Sequence, residues 1–191
     1  MKRFIPPPEP IGFDEKARQP GLAWLKENPE KKPKDLWSPF RRDLAEGFHY
    51  LCAYSVVHTI QDGTVDHYLS VKNHRNLTYE WDNYRFASNK INNRKRNADD
   101  KILDPFEVKD EWFEILLPSC RLSVTDQIPD SIYPKAKFTI KQLRLNNEIL
   151  VDFRRQWYDA YQETPSEKFL KFIDQQAPLI AQAIRKQQNK D

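Results

Sequence analysis

The sequence predicts an α+β protein, with a small strand–strand–helix core, flanking helices and a Pro-rich N-terminal arm. Two β-favouring runs, 56–60 and 64–68, flank the turn signal Asp62-Gly63, and this pattern predicts a tight hairpin. The run 87–95 contains neither Gly nor Pro and predicts a short helix directly after the core strands. Apolar residues that recur at helical spacing beyond Pro134 predict the flanking helices.

Three segments are expected along the chain. Residues 1–36 are rich in Pro and charged residues, which favours an extended arm with a short helix at 21–28. We interpret this arm as a wrap on the surface of the body, the alternative being an arm that binds a partner or DNA. Residues 37–130 form the core with a preceding helix and following strands, and residues 131–191 form a C-terminal helical region.

Local signals predict the elements outside the core. Ser38-Pro39 marks a helix start, and strands are predicted at 112–117 and 121–124. The run from Thr164 to Glu167 fits a capping box that opens a last helix, which Pro178 interrupts. Two apolar stripes are expected to face the interior: Phe40, Leu44, Phe48 and Leu51 on the first helix, and Phe169, Phe172 and Ile173 on the last.

Length and composition restrict the class of protein. A chain of 191 residues with 13% aromatic side chains can bury one hydrophobic core, which argues against a mostly disordered protein. The formal net charge is +3, so a nucleic-acid surface would be a local patch. Cys52 and Cys120 predict free thiols in a reducing compartment. No apolar run has the length of a transmembrane helix and no secretory signal is evident, so we expect a cytoplasmic protein without membrane contact.

Four polar side chains of the core form the candidate site: Asp66, His67, Asn83 and Asn92. A hairpin followed by a helix would bring a histidine suited to acid–base chemistry close to the oxygens of Asp66 and Asn92. Positive charge on or near the helix, where a DNA backbone would pass, is supplied by Lys90, Arg94, Lys95 and Arg96.

These residues resemble the HNH nucleases, whose fold is a ββα-metal core. The resemblance rests on Asp66-His67, on Asn83 within Trp-Asp-Asn-Tyr-Arg, and on Asn92-Asn-Arg-Lys95, with the usual family spacing between the two asparagines. More narrowly, the chain is similar to small HNH proteins found beside ATPases in bacterial anti-phage systems of the Septu-like and retron-associated types. That likeness comes from W-x-x-x-R-x-x-L before Cys52, from Leu103-Asp-Pro-Phe106, and from L-x-L-N at 143–146.

The resemblance implies a metal-dependent endonuclease that hydrolyses phosphodiester bonds of DNA. His67 would be the general base that activates water, and Asn83 would pin the loop and orient that base. Asp66 and Asn92 would hold Mg²⁺ or Mn²⁺, which prefer oxygen ligands and stabilise the charge of the transition state. The same likeness implies an effector subunit of a defence system that is gated by an ATPase partner.

One departure from the family concerns zinc. Many relatives carry two Cys-x-x-Cys pairs near the site, and here the corresponding runs read Cys52-Ala-Tyr-Ser55 and Ser88-Asn-Lys-Ile91. A structural zinc normally needs four nitrogen or sulfur ligands, and one thiol of the four remains. We therefore expect no structural zinc and a space filled by packed side chains.

The alternative to an enzyme is a catalytically silent subunit that binds DNA or a protein on an HNH scaffold. A sequence-specific DNA reader has less support, because no basic recognition helix is obvious. Among the other histidines, His49 and His58 are interpreted as surface or hydrogen-bonding residues, and His74 is left open as an accessory phosphate contact.

Overall fold

A computed structural model describes residues 1–59 and 61–189 and has an α+β architecture. The α-helices of the described residues are α1 Gln19–Glu27, α2 Arg41–Gly47, α3 Asn89–Lys95, α4 Tyr133–Gln142, α5 Glu148–Glu163, α6 Glu167–Gln176 and α7 Pro178–Gln188. Strands β1 Gly63–His67 and β2 Tyr84–Ser88 form one antiparallel sheet, and β3 Phe113–Leu116 and β4 Arg121–Val124 form a second. Within these residues, no helix combines the length and apolar character needed to cross a membrane.

The predicted hairpin at Asp62-Gly63 is wrong. The second predicted run is β1, but its partner is β2, which follows a long connection across residues 68–83. Gly63 belongs to the strand, and a Cβ atom there would come within 2.0 Å of the Phe86 ring, so the glycine permits a close approach of the two strands. The first run is not a strand: Val56 has φ 56°, and Ile60 lies outside the described residues.

Helix α3 follows β2 without an intervening loop, close to the predicted run 87–95. The hydroxyl of Ser88 caps it by accepting a hydrogen bond from the backbone N–H of Ile91 at 3.4 Å. The helix ends at Arg96, whose positive φ of 52° cannot continue a right-handed α-helix. The two strands and the helix are therefore consecutive in the chain and in space.

The N-terminal arm contributes side chains to the hydrophobic core, whereas its composition predicted only a wrap on the surface. Phe4 and Phe13 are buried, and the indole N–H of Trp81 donates to the carbonyl of Pro7 at 2.9 Å. The helix expected at 21–28 is α1. Ile5, by contrast, is 81% exposed, so only part of the apolar content of the arm is used for packing.

The remaining elements largely follow their local signals. The two predicted strands are β3 and β4, and the predicted break at Pro178 is confirmed. The capping residue of α6 is Ser166, whose hydroxyl accepts from the N–H of Phe169 at 3.2 Å, so Thr164 is not the cap. Phe172 does not face the interior, since it is 47% exposed.

A single hydrophobic cluster connects the arm, the central region and the C-terminal helices. The four side chains of the first predicted stripe are all buried, but they do not share one helix: Leu44 lies in α2, Phe40 precedes it, and Phe48 and Leu51 follow its end at Gly47. Cys52 and Cys120 are both buried and free, which confirms that they form no disulfide.

Candidate functional site

The candidate site lies where α3 packs on β1. In the register of the sheet, Asp66 lies opposite Arg85 and His67 opposite Tyr84. Two side chains of one helix face reach β1: the amide of Asn92 donates to the carbonyl of Val65 at 3.4 Å, and Lys95 donates to the carbonyl of His67 at 2.7 Å. Residues three apart in a helix share a face, so this docking follows from the Asn-x-x-Lys spacing.

The carboxylate of Asp66 is buried and engaged on both oxygens. Asp66 is 1% exposed. Its Oδ2 accepts a hydrogen bond of 2.6 Å from the hydroxyl of Tyr54, and its Oδ1 lies 3.0 Å from Nζ of Lys95. Burial, with the charge of Asp66 as a second cause, raises the pKa of Tyr54 well above its usual value, so the phenol keeps the proton that it donates. The carboxylate therefore has a neutral donor on one oxygen and a cation on the other.

Lys95 is fully buried, although the sequence predicted it among the basic residues that would face a DNA backbone. Its ammonium contacts the Asp66 carboxylate and the His67 carbonyl. An ammonium without a partner would be costly in the interior, and the adjacent carboxylate removes most of that cost. In this arrangement Lys95 holds the end of α3 on β1 and is not available to a phosphate.

The imidazole of His67 is half-buried and fixed in orientation. Nε2 lies 2.8 Å from the carbonyl oxygen of Thr78, and the ring makes edge contacts with Trp37 and Tyr84, at centroid distances of 4.6 and 5.0 Å. Because a carbonyl oxygen can only accept, Nε2 carries the proton and Nδ1 has the lone pair of the neutral ring. Burial lowers the pKa of His67, which favours this neutral form.

Asn83 ties together the connection between β1 and β2. Its Oδ1 accepts from the N–H of Leu69 at 2.8 Å, and its Nδ2 donates to the carbonyls of Leu69 and Leu77 at 2.9 and 3.2 Å. Thr78, which fixes His67, directly follows Leu77. The amide of Asn83 therefore holds the segment that contains Thr78, the hydrogen-bond partner of His67.

The other basic residues of the helix differ in exposure. Lys90 and Arg96 are exposed, whereas Arg94 is half-buried and donates to the carbonyl of Leu143 at 3.3 Å. The carbonyl of Arg94 in turn accepts from Gln142 at 2.7 Å, which ties α3 to the end of α4. Lys90 and Arg96 are thus the two of the four that present their charge fully to solvent.

Sequence reasoning missed a second buried ion pair beside the site. Arg85 forms two hydrogen bonds with the carboxylate of Asp104, at 2.8 and 2.6 Å, and its guanidinium lies 3.5 Å from the centroid of the Phe106 ring. Both charged residues are less than 10% exposed. A signal was present, since Arg85 and Asp104 occur in runs already singled out for the family resemblance. Tyr54, Trp37 and Thr78 were also missed, and no local pattern marks them.

His74 lies in a separate polar cluster around Asp99. Its Nε2 is 3.8 Å from Oδ2 of Asp99, whose Oδ1 accepts from the N–H of Ser70 at 2.7 Å. Asn73 donates to the same carboxylate. These contacts join His74 and its loop to Asp99, which follows α3 in the chain.

The two degenerate Cys-x-x-Cys runs lie side by side. The N–H of Ser88 points to Sγ of Cys52 at 3.5 Å, and Ser55, Ser88 and Ile91 line a common pocket of about 180 Å³. Over residues 1–59 and 61–189, no group of three or more His, Cys, Asp or Glu side chains is arranged to hold a metal ion.

The proposed ligands do not fit a divalent ion in this arrangement. Mg²⁺ binds oxygen at about 2.1 Å and usually keeps several waters. Asp66 is almost inaccessible, and the ammonium of Lys95 already lies 3.0 Å from Oδ1. A second cation at that oxygen would meet the ammonium at short range and be repelled by it. The side-chain amide of Asn92 donates to the backbone of β1, and its side-chain oxygen remains for a ligand. Of the two expected metal ligands, Asn92 is therefore less occupied than Asp66.

The chain matches no protein-family model and no curated protein at a significant level.

Proposed function

We propose that this chain hydrolyses phosphodiester bonds of DNA, with His67 as the general base. The observation that carries the proposal is the state of His67. Thr78 accepts the proton on Nε2, and burial lowers the pKa of the ring, so Nδ1 is a free base at neutral pH. A resemblance to HNH nucleases at Asp66-His67, Asn83 and Asn92 supports DNA as the substrate class.

In the proposed reaction, Nδ1 of His67 takes a proton from a water molecule as that oxygen attacks phosphorus. The bond from phosphorus to the leaving oxygen breaks, and the leaving alkoxide takes a proton from solvent. The Nε2–H bond to Thr78 strengthens as the ring becomes positive, because hydrogen bonds from charged donors are the stronger ones. Trp37 and Tyr84 keep the ring from rotating, and Asn83 holds the segment that carries Thr78.

The metal dependence implied by the resemblance enters this proposal only as a question for experiment. Because both oxygens of Asp66 are engaged, no step above is assigned to a bound ion. Lys90 and Arg96, being exposed, are the residues proposed to contact the DNA backbone, and each phosphate contact would add to the salt dependence of binding.

We also propose an ATPase-like protein partner, on the likeness to nucleases of anti-phage systems. Exposed apolar side chains offer places for it to bind. Ile5 and Ile11 of the arm are 81% and 102% exposed, and Ile149 and Phe172 of the C-terminal helices are 62% and 47% exposed. Such side chains supply apolar area at the centre of a protein interface.

A second candidate is a catalytically silent subunit that binds DNA or a protein. The buried ion pair between Asp66 and Lys95 favours this candidate, because a carboxylate that is already neutralised by an ammonium is a poor ligand for a catalytic metal ion. On this view His67 and Asn83 are structural residues, one in β1 and the other in the connection between β1 and β2.

The experiment that separates the candidates is plasmid nicking by the purified chain, alone and with the product of the neighbouring gene, in Mg²⁺ or Mn²⁺ and in EDTA. His67→Ala should reduce nicking by at least about 100-fold, the usual contribution of a general base, with DNA binding in a gel-shift assay unchanged. His74→Ala is the matched control, since that histidine belongs to the separate polar cluster around Asp99. Nicking by His67→Ala at the parental rate contradicts the proposed base, and DNA binding without nicking under every condition favours the silent subunit.

A further inference from the structure

We infer that the ammonium of Lys95 is the resident cation of Asp66 and that it excludes divalent metal ions from this carboxylate. The inference goes beyond the proposed function and does not depend on it. It concerns three side chains from different parts of the fold: Tyr54 before β1, Asp66 in β1, and Lys95 in the last turn of α3.

The first argument is charge balance in a dry place. Tyr54 and Lys95 are 0% exposed and Asp66 is 1% exposed, so solvent cannot screen charges among them. The carboxylate and the ammonium cancel, and the hydroxyl of Tyr54 donates its proton to the same carboxylate. A divalent ion at Asp66 would leave two uncompensated positive charges in the interior.

The second argument is that Lys95 is anchored twice. It lies 3.0 Å from Oδ1 of Asp66 and donates to the carbonyl of His67 at 2.7 Å. An ion could take its place only if both contacts broke and the ammonium left the interior. That movement would expose a side chain that is fully buried and would break the contact of the last residue of α3 with β1.

The third argument is the engagement of the other oxygen. Oδ2 of Asp66 accepts a short hydrogen bond of 2.6 Å from Tyr54. With one oxygen held by a phenol and the other by an ammonium, the carboxylate is oriented without any metal. Lys95 is therefore a positioning residue that sets both the carboxylate of Asp66 and the backbone of His67.

The test is a Mn²⁺ titration of the full chain followed by ¹⁵N NMR, in which bound Mn²⁺ broadens nearby amide signals. In the parent protein we expect no selective, saturable broadening at residues 65–67. Lys95→Met keeps the length of the side chain and removes the charge, and it should tighten Mn²⁺ binding at these amides by roughly 10- to 100-fold, the range over which neighbours of metal ligands act. Asp66→Asn in the Lys95→Met background should abolish the gain.

Lys90→Met is the matched control, because Lys90 is an exposed lysine of the same helix and its removal should leave the titration unchanged. Selective saturable broadening at residues 65–67 in the parent protein overturns the inference, and so does a folded Lys95→Met protein that gains no binding. If Lys95→Met does not fold, selective saturable broadening at residues 65–67 of the parent protein still overturns the inference. Loss of nicking activity bears on the proposed function and leaves this result unaffected.

Discussion

Replacing Lys95 by methionine should lower the free energy of unfolding far more than the same replacement of a surface lysine. The substitution removes the only charged partner that the described residues provide for the buried carboxylate of Asp66, and it leaves the carbonyl of His67 without its ammonium donor. Methionine has nearly the volume of the lysine stem, so the packing cost is expected to stay below about 1.5 kcal/mol.

The magnitude follows from burial of the pair. The two side chains are 0% and 2% exposed, so the case is that of a buried ion pair with one partner removed, which costs about 3–5 kcal/mol. Adding Asp66→Asn removes the stranded charge while leaving an oxygen that can accept from Tyr54. The double variant should therefore recover part of the loss, with a coupling energy within the range of about 0.5–3 kcal/mol seen for residues in contact.

The assay is urea unfolding at pH 7, followed by circular dichroism, for the parent, both single variants and the double variant. Lys90→Met serves as the control and should change the free energy of unfolding by less than about 0.5 kcal/mol. The reasoning fails if Lys95→Met is as stable as this control, or if the losses of the two single variants simply add in the double variant.

Two further predictions concern pH and the buried arginines. Burial lowers the pKa of His67, so below the ordinary histidine pKa of about 6.5 the unfolded chain binds more protons than the folded protein. The free energy of unfolding should therefore fall as pH drops through that value, and this fall should disappear in His67→Gln. Unfolding measured as a function of pH tests this, and an unchanged pH dependence in the variant contradicts the reasoning. Arg85→Met should cost about 3–5 kcal/mol, because it strands Asp104, whereas Arg154→Met should be neutral or stabilising. Burial lowers the pKa of Arg154 to about 10, and its one hydrogen bond within the described residues is a 3.4 Å contact with Asn146. Thermal melts compare the two, and equal losses would refute the distinction.

Local sequence determined the elements that depend on local chemistry. The Gly- and Pro-free run that begins at Ala87 gives α3, the predicted strand runs on either side of Pro118 give β3 and β4, and Pro178 separates α6 from α7. In each case the signal and the hydrogen bonds that it favours lie within a few residues of each other. Of the four candidate residues, Asp66 and His67 lie in β1 and Asn92 lies in α3, whereas Asn83 lies at the end of the connection that precedes β2.

Tertiary structure alone decided what those residues contact. The partner of β1 is a strand across residues 68–83, and no alternation within β1 specifies it, which is why the hairpin at Asp62-Gly63 was wrong. Lys95 reads as a surface lysine in a basic helix, yet it is buried, because a carboxylate 29 positions earlier compensates its charge. The cost of burying an ion depends on its counter-ion, and that partner is brought close only by folding. The sequence therefore supplied the candidate residues, and long-range packing decided that Asp66 is closed by Lys95 and Tyr54.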